Sequence, residues 1–247
     1  MKKILFGCLI LIAACQSATS IPTPESTPTL TIQTPTMPAT VAPTLTPTLA
    51  PSPTPIPLFF VEEFDLDLGA WSSFQTSGNS NPQVTFQNGS LVLSFSSPHT
   101  WYYAIHNAHE YLKVHIDAKF DSTDAGTASM GLVCMYSEAK GWYEYNISSD
   151  GMYNILLGQW VTTGIAQYRP IVSDTSEYLS RGRTDYEIGI TCEKDILWLY
   201  INGKLFRKID VSRFGLESGK AGIAAAIFEN APATAYFEWF KVSEPPE

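Results

Sequence analysis

The chain has 247 residues, of which 45% are hydrophobic and 16% charged, and its formal net charge is −9. Residues 58–247 alone carry 13 basic and 23 acidic residues, a net charge of −10. This balance excludes the clustered Lys and Arg that phosphate binding needs, so we expect no nucleic-acid partner.

The first fifteen residues predict an export signal. Two lysines precede an apolar run over residues 4–14 that is too short to span a bilayer comfortably. Residues 12–15, Ile-Ala-Ala-Cys, are similar to the lipobox of bacterial lipoproteins. The resemblance implies removal of signal peptide 1–14 and lipidation of Cys15, which would hold the protein on the outer face of a bacterial membrane, its domain extracellular or periplasmic. An ordinary signal peptide cleaved near Ala18 is the alternative.

A Thr/Pro-rich linker is predicted to follow over residues 15–57. Residues 20–57 hold 11 of the chain's 17 prolines, and Glu25 is their only charge. Because proline fixes φ and removes a backbone donor, we expect a disordered, low-complexity spacer that extends by about 3.1 Å per residue. It would lift the next domain away from the lipid surface; a tether of no selected length is the alternative.

Residues 58–247 predict one all-β domain, because alternation of apolar and polar residues recurs throughout. The predicted strands cover residues 59–64, a hairpin over 84–95 around Asn88-Gly89, 101–106, 111–120, a three-stranded meander over 131–157, 186–192, 196–201, 204–210, 221–228 and 235–242. The loop 69–71 is expected to leave the first strand, and residues 161–183 read as a long loop or a poorly patterned strand pair. We expect a two-sheet antiparallel sandwich.

The two cysteines of this domain are predicted to face the core. Cys134 shares a strand face with Leu132 and Tyr136, and Cys192 shares one with Ile188 and Ile190. In an exported protein this favours a buried disulfide between strands, with two buried free thiols as the alternative.

Several stretches of the domain carry a family resemblance. They are VEEF and a following Trp, then GLVCMY, WYEYNISSDGMYNI, LWLYINGKL, KAGIAAA and YFEWFKV. In this order they resemble the concanavalin A-like lectin/glucanase jelly rolls, and among those the laminin-G-like and keto-disaccharide-hydrolase-like domains of exported bacterial proteins. The resemblance implies a jelly-roll fold and leaves function open, because this sandwich hosts lectins, glycosidases and plain spacers.

The glucanases of this superfamily carry a Glu-x-Asp-x-x-Glu motif, which this sequence lacks. Such enzymes need two carboxylates a few ångströms apart on one strand face. The predicted strand 142–148 offers only Glu144, which is a weak catalytic candidate and otherwise a surface acid.

Aromatic residues are the stronger indication of a binding site. Trp142, Glu144 and Asn146 alternate with core-type residues on one strand, and Trp198 and Tyr200 do so on another. Flat rings beside polar groups suit sugars, so we predict that these five residues share one concave sheet and bind a glycan. The alternative is that the rings pack in the sandwich or are covered by residues 161–183.

No cofactor is expected from motifs in the sequence. The four histidines fall between residues 99 and 115 in no ligand spacing, and two cysteines without such a cluster make no zinc site. The resemblance implies one weak calcium position where the first and last strands meet, near Glu63 and Glu238.

Three functions remain open on the sequence. The first is a surface-anchored, non-catalytic domain that binds carbohydrate or another extracellular polymer. The second is a glycoside hydrolase of the keto-disaccharide-hydrolase type, and the third is a structural or protein-binding surface domain.

Overall fold

The computed structural model describes residues 55–65, 68–123 and 128–246. The predicted signal peptide 1–14, Cys15 and the linker as far as residue 54 lie outside the described residues. Within the described part of the chain, no helix is long and apolar enough to cross a membrane.

Fifteen strands and one short 3-10 turn, Ser212–Phe214, make up the domain. The first eight strands are β1 (Phe60–Glu62), β2 (Trp71–Ser77), β3 (Gln83–Phe86), β4 (Leu91–Phe95), β5 (Thr100–His106), β6 (Val114–Ser122), β7 (Ala128–Ser137) and β8 (Gly141–Ser148). The last seven are β9 (Met152–Thr162), β10 (Ile165–Thr175), β11 (Tyr186–Cys192), β12 (Ile196–Ile201), β13 (Lys204–Asp210), β14 (Lys220–Ile227) and β15 (Ala233–Ser243).

The strands form two antiparallel sheets. The eight-stranded sheet has the order β13-β12-β11-β6-β15-β4-β3, with β1 also paired to β15. The seven-stranded sheet has the order β10-β9-β8-β7-β14-β5-β2. The predicted all-β, two-sheet jelly-roll sandwich is therefore confirmed.

The core lies between the inner faces of the sheets. Residues at every second position point inward, as with Tyr143, Tyr145 and Ile147 on β8 and Leu197 and Leu199 on β12. All are buried, as expected for a sandwich whose inner faces interdigitate.

A disulfide joins the two sheets through this core. Cys134 of β7 is bonded to Cys192 of β11, with their Cα atoms 6.5 Å apart and a sequence separation of 58 residues. The predicted disulfide is confirmed. Closing a loop of that length stabilises the fold by about 4 kcal/mol in the chain-entropy model.

Most predicted strands are present, with three differences. The segment after Gly69 is not only a loop, because Trp71 begins strand β2. Residues 165–175 form one long strand, β10, with two register shifts, where a loop or a strand pair was predicted. Leu112, within the predicted strand 111–120, precedes β6 and is 75% exposed. Strands β2 and β10 are the edge strands of the seven-stranded sheet, where polar residues are tolerated.

Candidate functional site

The outer face of the seven-stranded sheet carries a second apolar cluster, separate from the core. We call it the outer aromatic cluster, and its members are Phe74, Tyr103, Tyr136, Trp142, Trp160 and Tyr168. At its centre Trp142 is fully buried, with ring centroids of Trp160 and Tyr103 at 5.3 and 5.4 Å. Room for the indole comes from Gly158 on β9, where a Cβ atom would lie 2.3 Å from Trp142 Cε2.

The sheet bends until its two edge strands meet over this cluster. β10 and β2 lie at opposite ends of the strand order, yet the hydroxyl of Tyr168 on β10 is 2.5 Å from Thr76 Oγ1 on β2. The Tyr168 hydroxyl is also 2.9 Å from that of Tyr103, and its ring stacks on Trp101 with centroids 5.2 Å apart. The outer face is therefore concave, and β10 covers its middle.

Glu144 lies at the bottom of the covered region with no exposed surface. Its Oε2 accepts hydrogen bonds from the Tyr103 hydroxyl at 2.7 Å and Trp142 Nε1 at 3.3 Å, and its Oε1 accepts one from Asn146 Nδ2 at 2.6 Å. Burial raises the pKa of the Glu144 carboxyl, although the three donors act in the opposite direction. Both carboxylate oxygens of Glu144 are therefore hydrogen-bonded within the protein.

An open groove remains at one end of the concave face, where β2 approaches the β7–β8 turn and the β9–β10 hairpin. We call it the hairpin groove; it has a volume of about 560 Å³ and is lined by Phe74, Gln75, Tyr136, Glu138, Trp160, Val161, Thr162, Thr163 and Gly164. Phe74 and Trp160 are half-buried, whereas Glu138 and the hairpin residues 161–164 are exposed. Aromatic walls beneath a polar rim are typical of ligand sites.

Gln75 borders the groove, but its side chain faces the other side of β2. It pairs with the core residue Tyr102, whereas Phe74 pairs with Tyr103 of the outer aromatic cluster. Its Nε2 donates to the carbonyl oxygen of Gly78 at 3.1 Å, and its Oε1 is buried without a hydrogen-bond partner among the described residues. The polar atoms of this side chain are therefore not available to a ligand in the groove.

Tyr136 reaches the groove through a β-bulge that the sequence did not indicate. Strict alternation predicted that Tyr136 faces the core with Cys134, but the β7–β8 register shifts between Cys134 and Ser137. Met135 adopts a positive φ of 53° at this point and enters the core. The extra residue sends Tyr136 to the outer face, where its ring stacks on Phe74 at 5.4 Å.

The prediction that five residues share one concave sheet is wrong. Trp142, Glu144 and Asn146 lie on β8 of the seven-stranded sheet, whereas Trp198 and Tyr200 lie on β12 of the other sheet. Alternation identified the outward face of each strand correctly but carries no information on which sheet a strand joins. The structure agrees instead with the alternative, in which residues 161–183 cover Trp142, the outward ring of β8.

The β12 rings lie on the outer face of the eight-stranded sheet. Trp198 and Tyr200 are half-buried; Lys208 Nζ lies 5.9 Å from the Trp198 ring, and the His115 ring meets Tyr200 edge-on at 4.9 Å. His115 also contacts Thr191 Oγ1 at 2.7 Å and Asp117 Oδ1 at 3.0 Å.

The histidines do not form a common site. His106 is buried beside Phe60, and burial lowers its pKa to about 4. His109 contacts the carbonyl oxygen of Ile56 at 2.9 Å, while His115 lies on the other sheet.

The two calcium candidates border one cleft. Glu63 and Glu238 line a depression of about 330 Å³ together with Asp65 and Asn88. Glu238 is already paired with Lys119, at 2.5 Å between Oε2 and Nζ. Among the described residues no group of three or more His, Cys, Asp or Glu is arranged to hold a metal ion, and calcium binding stays a prediction.

Comparison with solved structures identifies the fold. The carbohydrate-binding module CBM66 from Bacillus subtilis superposes with a TM-score of 0.50 and 14% identity, over 68% of this chain and 91% of that one. A Bacillus licheniformis β-glucanase gives a TM-score of 0.51 and 10% identity, over 76% and 98% of the two chains. The domain has a concanavalin A-like jelly-roll fold.

A GH16 protein of the mixed-linkage glucan locus of Bacteroides ovatus, solved with an oligosaccharide product, gives a TM-score of 0.54 and 10% identity over 74% of this chain and 99% of that one. No protein-family model matches the sequence, and no curated protein sequence matches it. At these identities the likeness concerns the fold alone, and the expected jelly-roll fold is confirmed.

Proposed function

We propose that this chain is a bacterial surface lipoprotein whose β-sandwich binds carbohydrate, without cleaving it, through the hairpin groove. The observation that carries the proposal is the presence of two half-buried rings, Phe74 and Trp160, in one open groove with an exposed polar rim. Sugar rings stack their C–H faces on aromatic surfaces while their hydroxyls take hydrogen bonds at the rim.

The size of the groove supports a ligand of a few sugar units. Small-molecule sites commonly measure about 300 to 1,000 Å³, and the hairpin groove, at about 560 Å³, lies within that range. It opens at the end of the sheet, beside the exposed hairpin residues 161–164, so a longer polymer can leave it into solvent.

The fold neighbours support the same class of ligand. They include a carbohydrate-binding module, β-glucanases and a carrageenase in complex with an oligosaccharide. At identities of 10 to 14% these likenesses concern the fold alone. They are consistent with a carbohydrate ligand but do not locate its site, so the proposal depends on the groove.

The carboxylates favour binding over hydrolysis. Glycoside cleavage commonly uses two carboxyl groups that flank the scissile bond. Glu138 is the only carboxylate lining the hairpin groove, and Glu144 is fully buried with both oxygens hydrogen-bonded. Neither has the second carboxylate that the reaction requires.

Glycan binding is tested with the full-length chain by calorimetry against neutral, cationic and anionic oligosaccharides. Trp160→Ala should weaken any binding at least about ten-fold, because a central aromatic anchor often contributes more than 1.4 kcal/mol. Trp198→Ala, which removes a half-buried ring on the other sheet, is the matched control and should leave affinity unchanged. Absence of binding to every glycan would favour the structural or protein-binding alternative.

One observation favours the hydrolase alternative, namely a buried carboxyl whose pKa is raised, as a general acid requires. Its test is turnover of a glycoside by the full-length chain. Turnover that is abolished by Glu144→Gln, in a variant that remains folded, would replace the binding proposal by a hydrolytic one.

Membrane anchoring is supported by the lipobox-like residues 12–15 and the proline-rich spacer. Cys15→Ser in the full-length chain should move the protein from the membrane fraction to the soluble fraction. A Cys15→Ser protein that still partitions with membranes would contradict lipid anchoring.

A further inference from the structure

The hairpin groove contains hydrogen-bond acceptors and aromatic faces but no basic side chain. Of its lining residues only Glu138 is charged. The hydroxyls of Thr162 and Thr163 can accept as well as donate. The groove therefore combines one negative charge with aromatic faces and neutral polar groups.

The basic residues of the adjoining strands and turns do not line the groove. Lys140 follows Glu138 in the β7–β8 turn and is exposed, but it is not a lining residue. Lys220 Nζ donates to Asn107 Oδ1 at 3.0 Å. No cation among the described groove-lining residues compensates Glu138.

The Glu138 carboxylate acts on the aromatic wall. Burial raises the pKa of Tyr136, and the negative charge of Glu138 raises it further. A cation placed between Glu138 and the rings of Tyr136 and Trp160 would meet one negative charge and two π faces. An anionic sugar would meet repulsion there and find no donor of charge-assisted hydrogen bonds.

Resting on the proposed function, we infer that the hairpin groove selects amino sugars with a free ammonium group, such as de-N-acetylated glucosamine units, over neutral and N-acetylated sugars, and rejects uronic acids and sulfated sugars. Glu138 pairs with the ammonium, and the aromatic rings stack on the sugar.

The test compares four oligosaccharides of equal length with the full-length chain by calorimetry: glucosamine, N-acetylglucosamine, glucose and galacturonic acid oligomers. Glucosamine oligomers should bind about five-fold more tightly than the N-acetylated and neutral ones, as one exposed ion pair plus a cation–π contact would give, and galacturonate should not bind. Glu138→Gln should remove the preference, so that glucosamine oligomers bind the variant no more tightly than neutral oligomers do.

Two controls separate recognition from general attraction to an acidic protein. Glu229→Gln removes an exposed acid in the β14–β15 turn, at the opposite end of β14 from the groove, and should keep the preference. Oligolysine of matched charge should bind at least about five-fold more weakly than the glucosamine oligomer, because it lacks a sugar face for the rings.

The outcomes distinguish this inference from the proposed function. Equal affinity for glucosamine and neutral oligomers, or a preference that survives Glu138→Gln, would overturn the amino-sugar inference and leave glycan binding intact. Tight binding of oligolysine would also overturn the amino-sugar inference, by showing that positive charge without a sugar ring is sufficient for binding. If none of the four oligosaccharides binds, both the amino-sugar inference and the proposed glycan binding are overturned.

Discussion

Strands β8 and β12 carry similar patterns of residues and have opposite environments. Each alternates aliphatic or tyrosine residues on the core side with outward residues that include a tryptophan, followed by Glu144 and Asn146 on β8 and by Tyr200 on β12. On β12 the outer rings Trp198 and Tyr200 are half-buried, whereas on β8 the outer ring Trp142 has no exposed surface.

The difference arises from the edge strands. β8 lies two strands from β10, and the hydrogen bond between Tyr168 and Thr76 brings β10 back over the outer face of its sheet. β12 lies beside the edge strand β13, and its outer rings keep exposed surface beside Lys208 and His115. An outward-facing ring is therefore either exposed or buried in a second apolar cluster. Which of the two it is depends on the path of the edge strand, which is distant in sequence in the case of the Tyr168–Thr76 contact.

The largest expected contrast concerns truncation of these two rings. Trp142→Ala should lower the free energy of unfolding by about 3 to 5 kcal/mol, because it opens a cavity among packed aromatic rings. Trp198→Ala should cost within about 1 kcal/mol, as for a half-buried surface ring. Urea unfolding followed by circular dichroism measures both, and equal losses would show that the two faces do not differ in burial.

Glu144 gives the next largest effect. Glu144→Ala should cost about 3 kcal/mol, because it leaves Trp142 Nε1 and the Asn146 amide without this acceptor and leaves the Tyr103 hydroxyl with the Tyr168 hydroxyl alone. Glu144→Gln keeps a carbonyl for two donors and should cost about 1 kcal/mol once the Asn146 amide reverses. If Ala and Gln cost the same in urea unfolding, the hydrogen bonds of this carboxyl do not stabilise the fold.

The pH dependence of stability sharpens the same point. Because burial raises the pKa of Glu144 above its unfolded value of 4.5, the folded state keeps the proton to higher pH than the unfolded state does. The contribution of Glu144 to stability is thus fullest below pH 4.5 and falls as pH rises toward the folded pKa.

The measurement is the difference in free energy of unfolding between the wild type and Glu144→Gln as a function of pH. Asp174, Asp210 and Glu217 have lowered pKa values and act in the opposite direction, but they cancel in this difference because both proteins contain them. The free energy of unfolding of the wild type, minus that of Glu144→Gln, should fall as pH rises above 4.5. A difference that is flat or rises with pH would contradict the burial of an ionisable carboxyl at this site.

The sequence predicted the sandwich because its central strands alternate strongly. Turn pairs such as Asn88-Gly89 and Asn202-Gly203 adopt the positive φ angles that tight hairpins require, so the strands on either side were found. The disulfide was also predictable, since Cys134 and Cys192 each share a face with aliphatic core residues.

The site was harder to predict, for two physical reasons. Phe74 and Gln75 belong to β2, whose sequence WSSFQTS has low strand propensity and forms an edge strand, and Tyr136 changes face only through a bulge. The closure of β10 over β8 depends on a pairing between Tyr168 and Thr76, 92 residues apart, which periodicity cannot indicate. The positive φ at Met135 is the only local feature of the bulge, and no glycine marks it in the sequence.

The smallest expected effect tests the closure itself. Tyr168→Phe removes the hydroxyl that lies 2.5 Å from Thr76 Oγ1 and 2.9 Å from the Tyr103 hydroxyl, and keeps the ring that stacks on Trp101. Loss of this link should cost about 1 kcal/mol and make the amide hydrogens of β10 exchange faster with solvent. Tyr200→Phe, on the open face of the other sheet, is the matched control and should stay within about 0.5 kcal/mol. If Tyr168→Phe leaves β10 exchange unchanged, ring packing rather than the hydroxyl pair holds the strand over β8, and the contrast between the two sheets has its origin in Trp101 and Trp142 instead.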